Sequence, residues 1–331
     1  MLLPGTAEDR ISGNGFLFIG RPVDRSSYKS SADCPVKNSE LPEPGINIKN
    51  NLEYKRQIEI SKSAEKPDMS TRKEIISSFY ERYDEDGRIA GSRHGQLEYC
   101  TTMAYIHRYT TGRSKILEIG AGTGRYSIAL AREGMDVTAV ELVGSNLDIL
   151  RSNSRGMANI QSFPGDAADL SRFPDNSFDI TLSLGPMYHL YEPDEVNRAI
   201  DEAIRVTKPG GVIMFAFISV FAIMYANYFY GSWAEGQAEN FTADFQVRHF
   251  KEQLFTGYDI AEFEELFHGK PVEWITTAGV DGLIEPIEKR PDFSLSDAEF
   301  TALAEWYLNF SEKRELLGTT NHLLYICRKQ A

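Results

Sequence analysis

Cysteine is scarce in this chain of 331 residues, which has only three. Cys34, Cys100 and Cys327 lie far apart and form no CxxC pair. Neither a zinc site nor a disulfide framework is therefore expected, and no metal site is predicted. Such a cysteine content is typical of proteins in a reducing cytosol, so a cytoplasmic location is expected.

Dense runs of Lys and Arg are also lacking. The chain has 35 Lys and Arg residues against 48 Asp and Glu residues, which gives a formal net charge of −13. Because an acidic surface repels phosphate backbones, no nucleic-acid partner is expected.

No long apolar run follows Met1-Leu2-Leu3, so no signal peptide is expected. The most apolar stretch, residues 212–230, is interrupted by Ser219, Asn227 and several aromatic residues. We interpret it as a buried strand followed by an aromatic-rich helix, and no membrane association is predicted. The sequence leaves the oligomeric state open.

Residues 1–70 differ from the rest of the chain in composition. They hold six of the 14 prolines, and their acidic and basic residues balance, so the net charge of −13 belongs to residues 71–331. Such a segment buries too little apolar surface to offset the entropy cost of ordering. We predict a flexible or weakly ordered extension over 1–70 and a folded domain over 71–331. An arm docked on that domain is the alternative.

From Thr71 onward, short apolar runs alternate with helical patterns. Strands are predicted at 116–119, 136–140, 160–163, 178–184, 211–218, 272–277 and 323–327. Helices are predicted at about 70–80, 95–109, 124–133, 145–155 and 194–206. This alternation predicts a doubly wound α/β fold with a mostly parallel sheet. Insertions are expected at about 220–270, which is helical, and at about 281–317.

A glycine-rich loop separates the first strand from the following helix. Residues 118–124 read Glu-Ile-Gly-Ala-Gly-Thr-Gly. Glycines let the backbone turn sharply and approach a ligand, and the helix N-terminus offers unpaired N–H groups. A dinucleotide loop would read G-x-G-x-x-G, whereas Gly124 comes one position early and Arg125 takes the last glycine's place. This spacing disfavours a nicotinamide-dependent dehydrogenase.

Two carboxylates follow the next two strands. Glu141 ends the second strand, where its oxygens suit the hydroxyl groups of a ribose. Asp166 follows the third strand, with Ala167 beside it, and suits an adenine amino group.

These features, with Phe178-Asp179 and the Lys-Pro-Gly-Gly turn at 208–211, resemble the class I S-adenosylmethionine-dependent methyltransferases. The closest resemblance is to the small-molecule group with type 11 or type 25 domains, and it covers about residues 75–219. It implies a Rossmann-like, seven-stranded sheet of order 3-2-1-4-5-7-6 whose strand 7 is antiparallel. It also implies N-terminal helices and a helical lid after strand 5.

The resemblance further implies S-adenosylmethionine as cofactor and assigns its ligands. Glu118 and Gly120 would lie beside the methionine part, and Leu184 and Gly185 near the sulfonium. The full implied set is Glu118, Gly120, Ala121, Gly122, Glu141, Leu142, Asp166, Ala167, Leu184 and Gly185.

Two residues on the first helix, Tyr80 and Tyr83, could cover the sulfonium through a cation–π contact. Packing of Tyr80 on Phe79 is the alternative. Arg93 could pair with the methionine carboxylate, unless it belongs to a solvated helix start together with His94.

Tyr188 and His189 follow the fourth strand and are the candidate catalytic residues. His189 could act as a general base, or it could make only a structural hydrogen bond. His322 could also face the site. Residues 225–233 are expected to line an apolar substrate pocket, with core packing as the alternative. Two further histidines, His249 and His268, are expected at the surface.

The predicted activity is transfer of a methyl group from the sulfonium to a small-molecule acceptor by in-line displacement. Two alternatives stay open. One is methylation of RNA or protein, and the other is a regulatory protein that binds the cofactor without catalysis.

Overall fold

The structure, a computed structural model, describes residues 71–82, 91–229, 231–250 and 253–331. The predictions for residues 1–70 and for Tyr83 lie outside the described residues.

Helices and strands alternate along the described chain as the sequence predicts. The helices are α1 (Arg72–Tyr80), α2 (Arg93–His107), α3 (Arg125–Arg132), α4 (Gly144–Asn153), α5 (Pro193–Val206), α6 (Val220–Ile223), α7 (Trp233–Asn240), α8 (Ile260–Glu265), α9 (Ile284–Glu288), α10 (Asp297–Phe310) and α11 (Arg314–Leu317). The strands are β1 (Lys115–Ile119), β2 (Asp136–Glu141), β3 (Ile160–Pro164), β4 (Phe178–Ser183), β5 (Thr207–Ser219), β6 (Gly257–Tyr258), β7 (Val272–Gly279) and β8 (His322–Lys329). A 3₁₀ helix spans Pro186–His189, and a π-helical turn spans Met224–Tyr228.

One sheet organises the domain, with strand order β3-β2-β1-β4-β5-β8-β7. β1 to β5 run parallel, and β8 runs antiparallel to both β5 and β7. The two-residue β6 pairs with the end of β5, outside this order. The predicted fold class and strand order are confirmed, since β7 and β8 are the sixth and seventh strands of the prediction.

Both faces of the sheet are covered, because alternate residues of a strand point to opposite sides. On β1, Leu117 belongs to a buried cluster that includes Ile200 of α5. Its neighbour Ile116 belongs to another cluster, which includes Met103 of α2 and Leu130 of α3. The carboxyl ends of the parallel strands stay uncovered by these layers and are available for a site.

The starts of the first two helices follow from side-chain caps. The Thr71 side chain accepts from the backbone N–H of Glu74, whose carboxylate accepts in return from the backbone of Thr71. The Ser92 side chain caps α2 by accepting from the N–H of Gly95. Because Ser92 provides this cap, α2 begins two residues earlier than the 95 predicted.

One part of the sheet differs from the prediction. β5 begins at Thr207, which pairs with Phe178, and so includes the predicted turn. The ladder is interrupted there, and Gly210 adopts a φ of +76°. The stretch 212–230 enters β5 and then short helices as predicted, and no helix among the described residues could span a membrane.

Cys327 is a buried free thiol in β8. The prediction for Cys34 lies outside the described residues.

Candidate cofactor and methyl-transfer site

The glycine loop between β1 and α3 has the backbone geometry that requires glycine. Gly120, Gly122 and Gly124 have φ values of +72°, +55° and +93°. A Cβ on Gly120 would come within 2.8 Å of Cδ of Pro186. Any larger residue there would strain the backbone and push the loop away from the end of β4.

Glu141, at the end of β2, holds this loop in place. Its Oε2 accepts the N–H of Gly122 at 2.7 Å, and its Oε1 accepts the N–H of Val143 at 2.8 Å. Burial raises the pKa of Glu141, while these backbone bonds and the Asn146 side chain act in the opposite direction.

Asp166, beyond β3, is engaged by the first helix. Its Oδ2 lies 2.7 Å from Nη2 of Arg72 and 3.2 Å from Nζ of Lys73, and its Oδ1 accepts the N–H of Ala168 at 3.0 Å. Arg72 also donates to Glu195 of α5 at 2.9 Å. These ion pairs hold α1 beside Asp166, the predicted adenine ligand.

A cleft at the carboxyl ends of the strands encloses about 960 Å³ of empty space, part of it open to solvent. Sequence-predicted residues lining it are Glu118, Gly120, Ala121, Gly122, Glu141, Leu142, Asp166, Ala167, Leu184, Gly185, Tyr80, Tyr188 and His189. The structure thus brings together all ten residues assigned as cofactor ligands by resemblance.

Arg93 is placed elsewhere and is not among the described residues that line the cleft. Its Nη2 lies 2.6 Å from Asp297 of α10, and its guanidinium covers the ring of Phe300. The neighbouring His94 is buried and paired with Glu288, so this helix start is not solvated.

Several cleft residues escaped the sequence predictions. Arg125 is the first residue of α3 and lines the cleft directly after the glycine loop. Its place at the helix N-terminus was a readable signal for an anion-binding side chain. Arg72, Glu98 and Asn146 carry no such local signal, because only the tertiary fold brings their helices to the cleft.

Glu118 is fully buried beside the loop, and burial raises its pKa to about 8. The Ser127 hydroxyl donates to it and opposes that shift. This shift favours the protonated carboxyl group in the absence of a positively charged ligand.

His189 lies in the cleft wall between two partners. Its Nδ1 is 2.8 Å from the carbonyl oxygen of Leu254, which can only accept, so Nδ1 carries the proton. Its Nε2 then accepts from the hydroxyl of Tyr80 at 2.9 Å. Burial lowers the pKa of His189 to about 4, which favours a neutral ring. This favours a role in positioning Tyr80 rather than a role as proton acceptor.

The aromatic residues after β5, which are expected to line a substrate pocket, form an exposed cluster. Tyr225, Phe229 and Trp233 pack on one another and are exposed, and they are not among the described residues lining the cleft. His268 is at the surface as predicted, since its side chain is 83% exposed. His249, by contrast, is partly buried between Thr256 and Glu262.

Residues 117–215 match a family described as a methyltransferase domain. Over 153 residues the chain is 32% identical to the demethylmenaquinone methyltransferase of Clavibacter sepedonicus, and the aligned stretch covers 44% of this chain and 59% of that protein. Over 106 residues it is 39% identical to the protein of the same name from Renibacterium salmoninarum, and this alignment covers 32% of this chain and 41% of that protein. The chain thus matches less than two thirds of either relative's length.

The solved structure of an S-adenosylmethionine-dependent methyltransferase from Thermotoga maritima aligns with a TM-score of 0.50 at 15% identity, over 79% of this chain and 100% of that chain. At this identity the likeness concerns the fold. The sheet and its loop define a Rossmann-like methyltransferase fold. Residues 117–215 are the part of the chain that matches the methyltransferase domain, and the sheet that contains them has the strand order expected for that fold.

Proposed function

We propose that this protein transfers a methyl group from S-adenosylmethionine to a small-molecule acceptor. The observation that carries the proposal is the convergence of ten residues, chosen by motif from four separate strand ends, on one cleft. In this fold class, ligands bind at the carboxyl edge of the parallel sheet, which is where these residues converge.

The described residues fit such a cofactor. Glu141 is buried with both oxygens oriented by backbone N–H groups, which leaves lone pairs for ribose hydroxyls. Asp166 and Ala167 lie where adenine would bind, and Arg125 is placed for the methionine carboxylate. Glu118 would face the methionine ammonium, which would favour ionisation of the carboxyl group.

When bound, S-adenosylmethionine supplies an activated methyl group, so the protein's task is orientation and exclusion of water. The glycine loop fixes the cofactor's position relative to the end of β4. Tyr80 closes the cleft from α1, and His189 holds its hydroxyl group. His189 thus acts as a positioning residue for Tyr80 rather than as the proton acceptor.

A small acceptor is favoured by the relatives and by charge. The two demethylmenaquinone methyltransferases act on a small molecule by name, although each is matched over only part of its length. The net charge of −13 disfavours RNA, and we propose that nucleic acid is not a partner.

The test has a binding arm and a transfer arm. Purified protein should show a higher melting temperature with S-adenosylmethionine or its demethylated product, and no change with NAD. Incubation with isotopically labelled cofactor and a metabolite extract should yield a labelled small molecule by mass spectrometry. Stabilisation by NAD alone would contradict the proposal, and cofactor binding without any labelled product would favour the regulatory alternative.

A further inference from the structure

A second group of ionisable side chains lies at the wall of the cleft. Glu98 of α2 lines the cleft, Asp281 follows β7, and His322 begins β8. One ligand-type atom from each lies within 4.8 Å of the others. Nδ1 of His322 is 2.7 Å from Oδ2 of Asp281 and 3.8 Å from Oε2 of Glu98.

Asp281 is held rigidly behind His322. It is fully buried, and its Oδ1 accepts from the Thr320 hydroxyl at 2.6 Å and from the N–H groups of Asn321 and His322 at 2.9 and 3.1 Å. An ionised carboxylate can only accept, so Nδ1 of His322 donates to Oδ2. These bonds fix both the orientation and the tautomer of the His322 ring. They also explain why Asp281 and His322 lie together without invoking a metal ion.

The group lies on the opposite side of the cleft from the adenosine ligands. His322 pairs with Ile218 at the carboxyl end of β5, whereas Glu141 and Asp166 follow β2 and β3. The Tyr188 ring lies 6.1 Å from the His322 ring, and its hydroxyl donates to the carbonyl of Leu184. Glu98 lines the cleft 3.8 Å from His322, on the side away from the proposed adenosine ligands.

Charge around this group favours the arrival of a proton. Asp281 is hydrogen-bonded to His322 Nδ1 and Glu98 lies 3.8 Å from the same nitrogen, so two carboxyl groups face one imidazole and disfavour its loss of a proton. The nearby titratable and charged groups are Glu118, Arg125, Tyr126, Tyr188, His94, Glu285, Glu288 and Lys289. Burial alone would raise the pKa of Glu285. The neighbouring Lys289, His94 and His322 lower that pKa to about 2, so this carboxylate adds negative charge.

We propose that Glu98 accepts the proton released by the methyl acceptor, with His322 and Asp281 as positioning residues behind it. The inference rests on the function proposed above. The step applies to an acceptor whose attacking nitrogen or oxygen carries a proton. As its lone pair bonds to the methyl carbon, the carbon–sulfur bond breaks, its electron pair stays on sulfur, and the proton passes to an oxygen of Glu98.

Binding of a cofactor analogue tests this without a known acceptor. In sinefungin, a carbon that bears an amine replaces the sulfonium and its methyl group, so the ammonium occupies the position of methyl transfer. Glu98→Gln should weaken sinefungin binding by about 10- to 100-fold in calorimetric titration, because a charge-assisted hydrogen bond is lost. Affinity for the demethylated product, S-adenosylhomocysteine, should stay within about twofold.

The matched control is Glu133→Gln, since Glu133 also pairs with a histidine, His107, but lies in a partly exposed pair outside the cleft-lining residues. It should leave both affinities unchanged. Equal sinefungin affinity in wild type and folded Glu98→Gln, with S-adenosylhomocysteine bound by both, would overturn the inference. Failure of wild type to bind either compound would instead overturn the proposed function.

His322 needs a readout that a purely structural role would not move. His322→Ala should change the pH dependence of sinefungin affinity while leaving that of S-adenosylhomocysteine unchanged. His322→Asn retains a donor for Asp281, so it should restore part of the affinity but not the pH dependence. An unchanged pH profile in folded His322→Ala would exclude the positioning role.

Discussion

Arg72 and Asp166 form a buried ion pair, with Nη2 of Arg72 2.7 Å from Oδ2 of Asp166. Lys73 approaches the same oxygen at 3.2 Å, but its side chain is 60% exposed. Although burial alone would raise it, the N–H of Ala168 and the Arg72 guanidinium lower the pKa of Asp166. The pair joins α1 to the edge of the sheet where adenine is proposed to bind.

Arg72→Ala should release α1 from the cleft. Removing one partner of a buried pair costs about 3 kcal/mol, so hydrogen exchange of the α1 amides should accelerate by about 100-fold. Lys73→Ala is the matched control and should accelerate exchange by less than about fivefold, because exposed pairs contribute little. Equal effects of the two substitutions would show that contacts other than the Arg72 pair hold α1.

Glu141→Ala should weaken S-adenosylmethionine binding by about 10- to 1,000-fold, because it removes charge-assisted bonds to the ribose. Glu141→Gln should be nearly as damaging. Both carboxylate oxygens accept backbone N–H groups, from Gly122 and Val143, so a glutamine would place its NH₂ group against one of these donors.

Calorimetric titration of folded Glu141 variants checks this, with Glu133→Gln as a control outside the cleft-lining residues. Unchanged cofactor affinity in Glu141→Ala would mean that the ribose binds elsewhere. A glutamine variant close to wild type would show that the loop tolerates the lost backbone bond.

The sheet and the cofactor cleft were predictable because their signals are local. Glycines at 120, 122 and 124 must accommodate positive φ, and carboxylates at strand ends can be found by counting along the sequence. Parallel topology then places those strand ends side by side. One side of the cleft, formed by residues 118–185, could therefore be predicted from the sequence.

The other side of the cleft could not be predicted in the same way. Arg72 and Glu98 reach it from helices whose docking depends on tertiary packing, and Asp281 lies next to His322 only because β7 pairs with β8. The role of His189 was also undetermined from sequence, since its pKa depends on burial and on the Leu254 carbonyl. The exposed aromatic residues of 225–233 show that apolar composition alone does not define a substrate pocket.

A chain that begins at residue 66 should bind S-adenosylmethionine within about threefold of the full chain. Every described residue lining the cleft falls between Arg72 and His189, and α1 with its Thr71 cap is retained. Calorimetry on both proteins measures this, with circular dichroism to verify folding. Loss of folding or of binding would show that the segment 1–65 is part of the domain.

Glu118 should make the protein less stable as pH rises from about 5 to 8. Burial raises its pKa in the folded state from 4.5 to about 8, so in this window the native chain holds a proton that the unfolded chain has lost. Stability then falls as pH rises through this window, most steeply midway between the two pKa values. Glu118→Gln removes this titration and preserves the shape of the side chain. As pH rises from about 5 to 8, the unfolding free energy of the variant should therefore increase relative to that of the wild type. Urea denaturation at four pH values measures it, and parallel pH profiles would mean that Glu118 is already ionised in the folded protein.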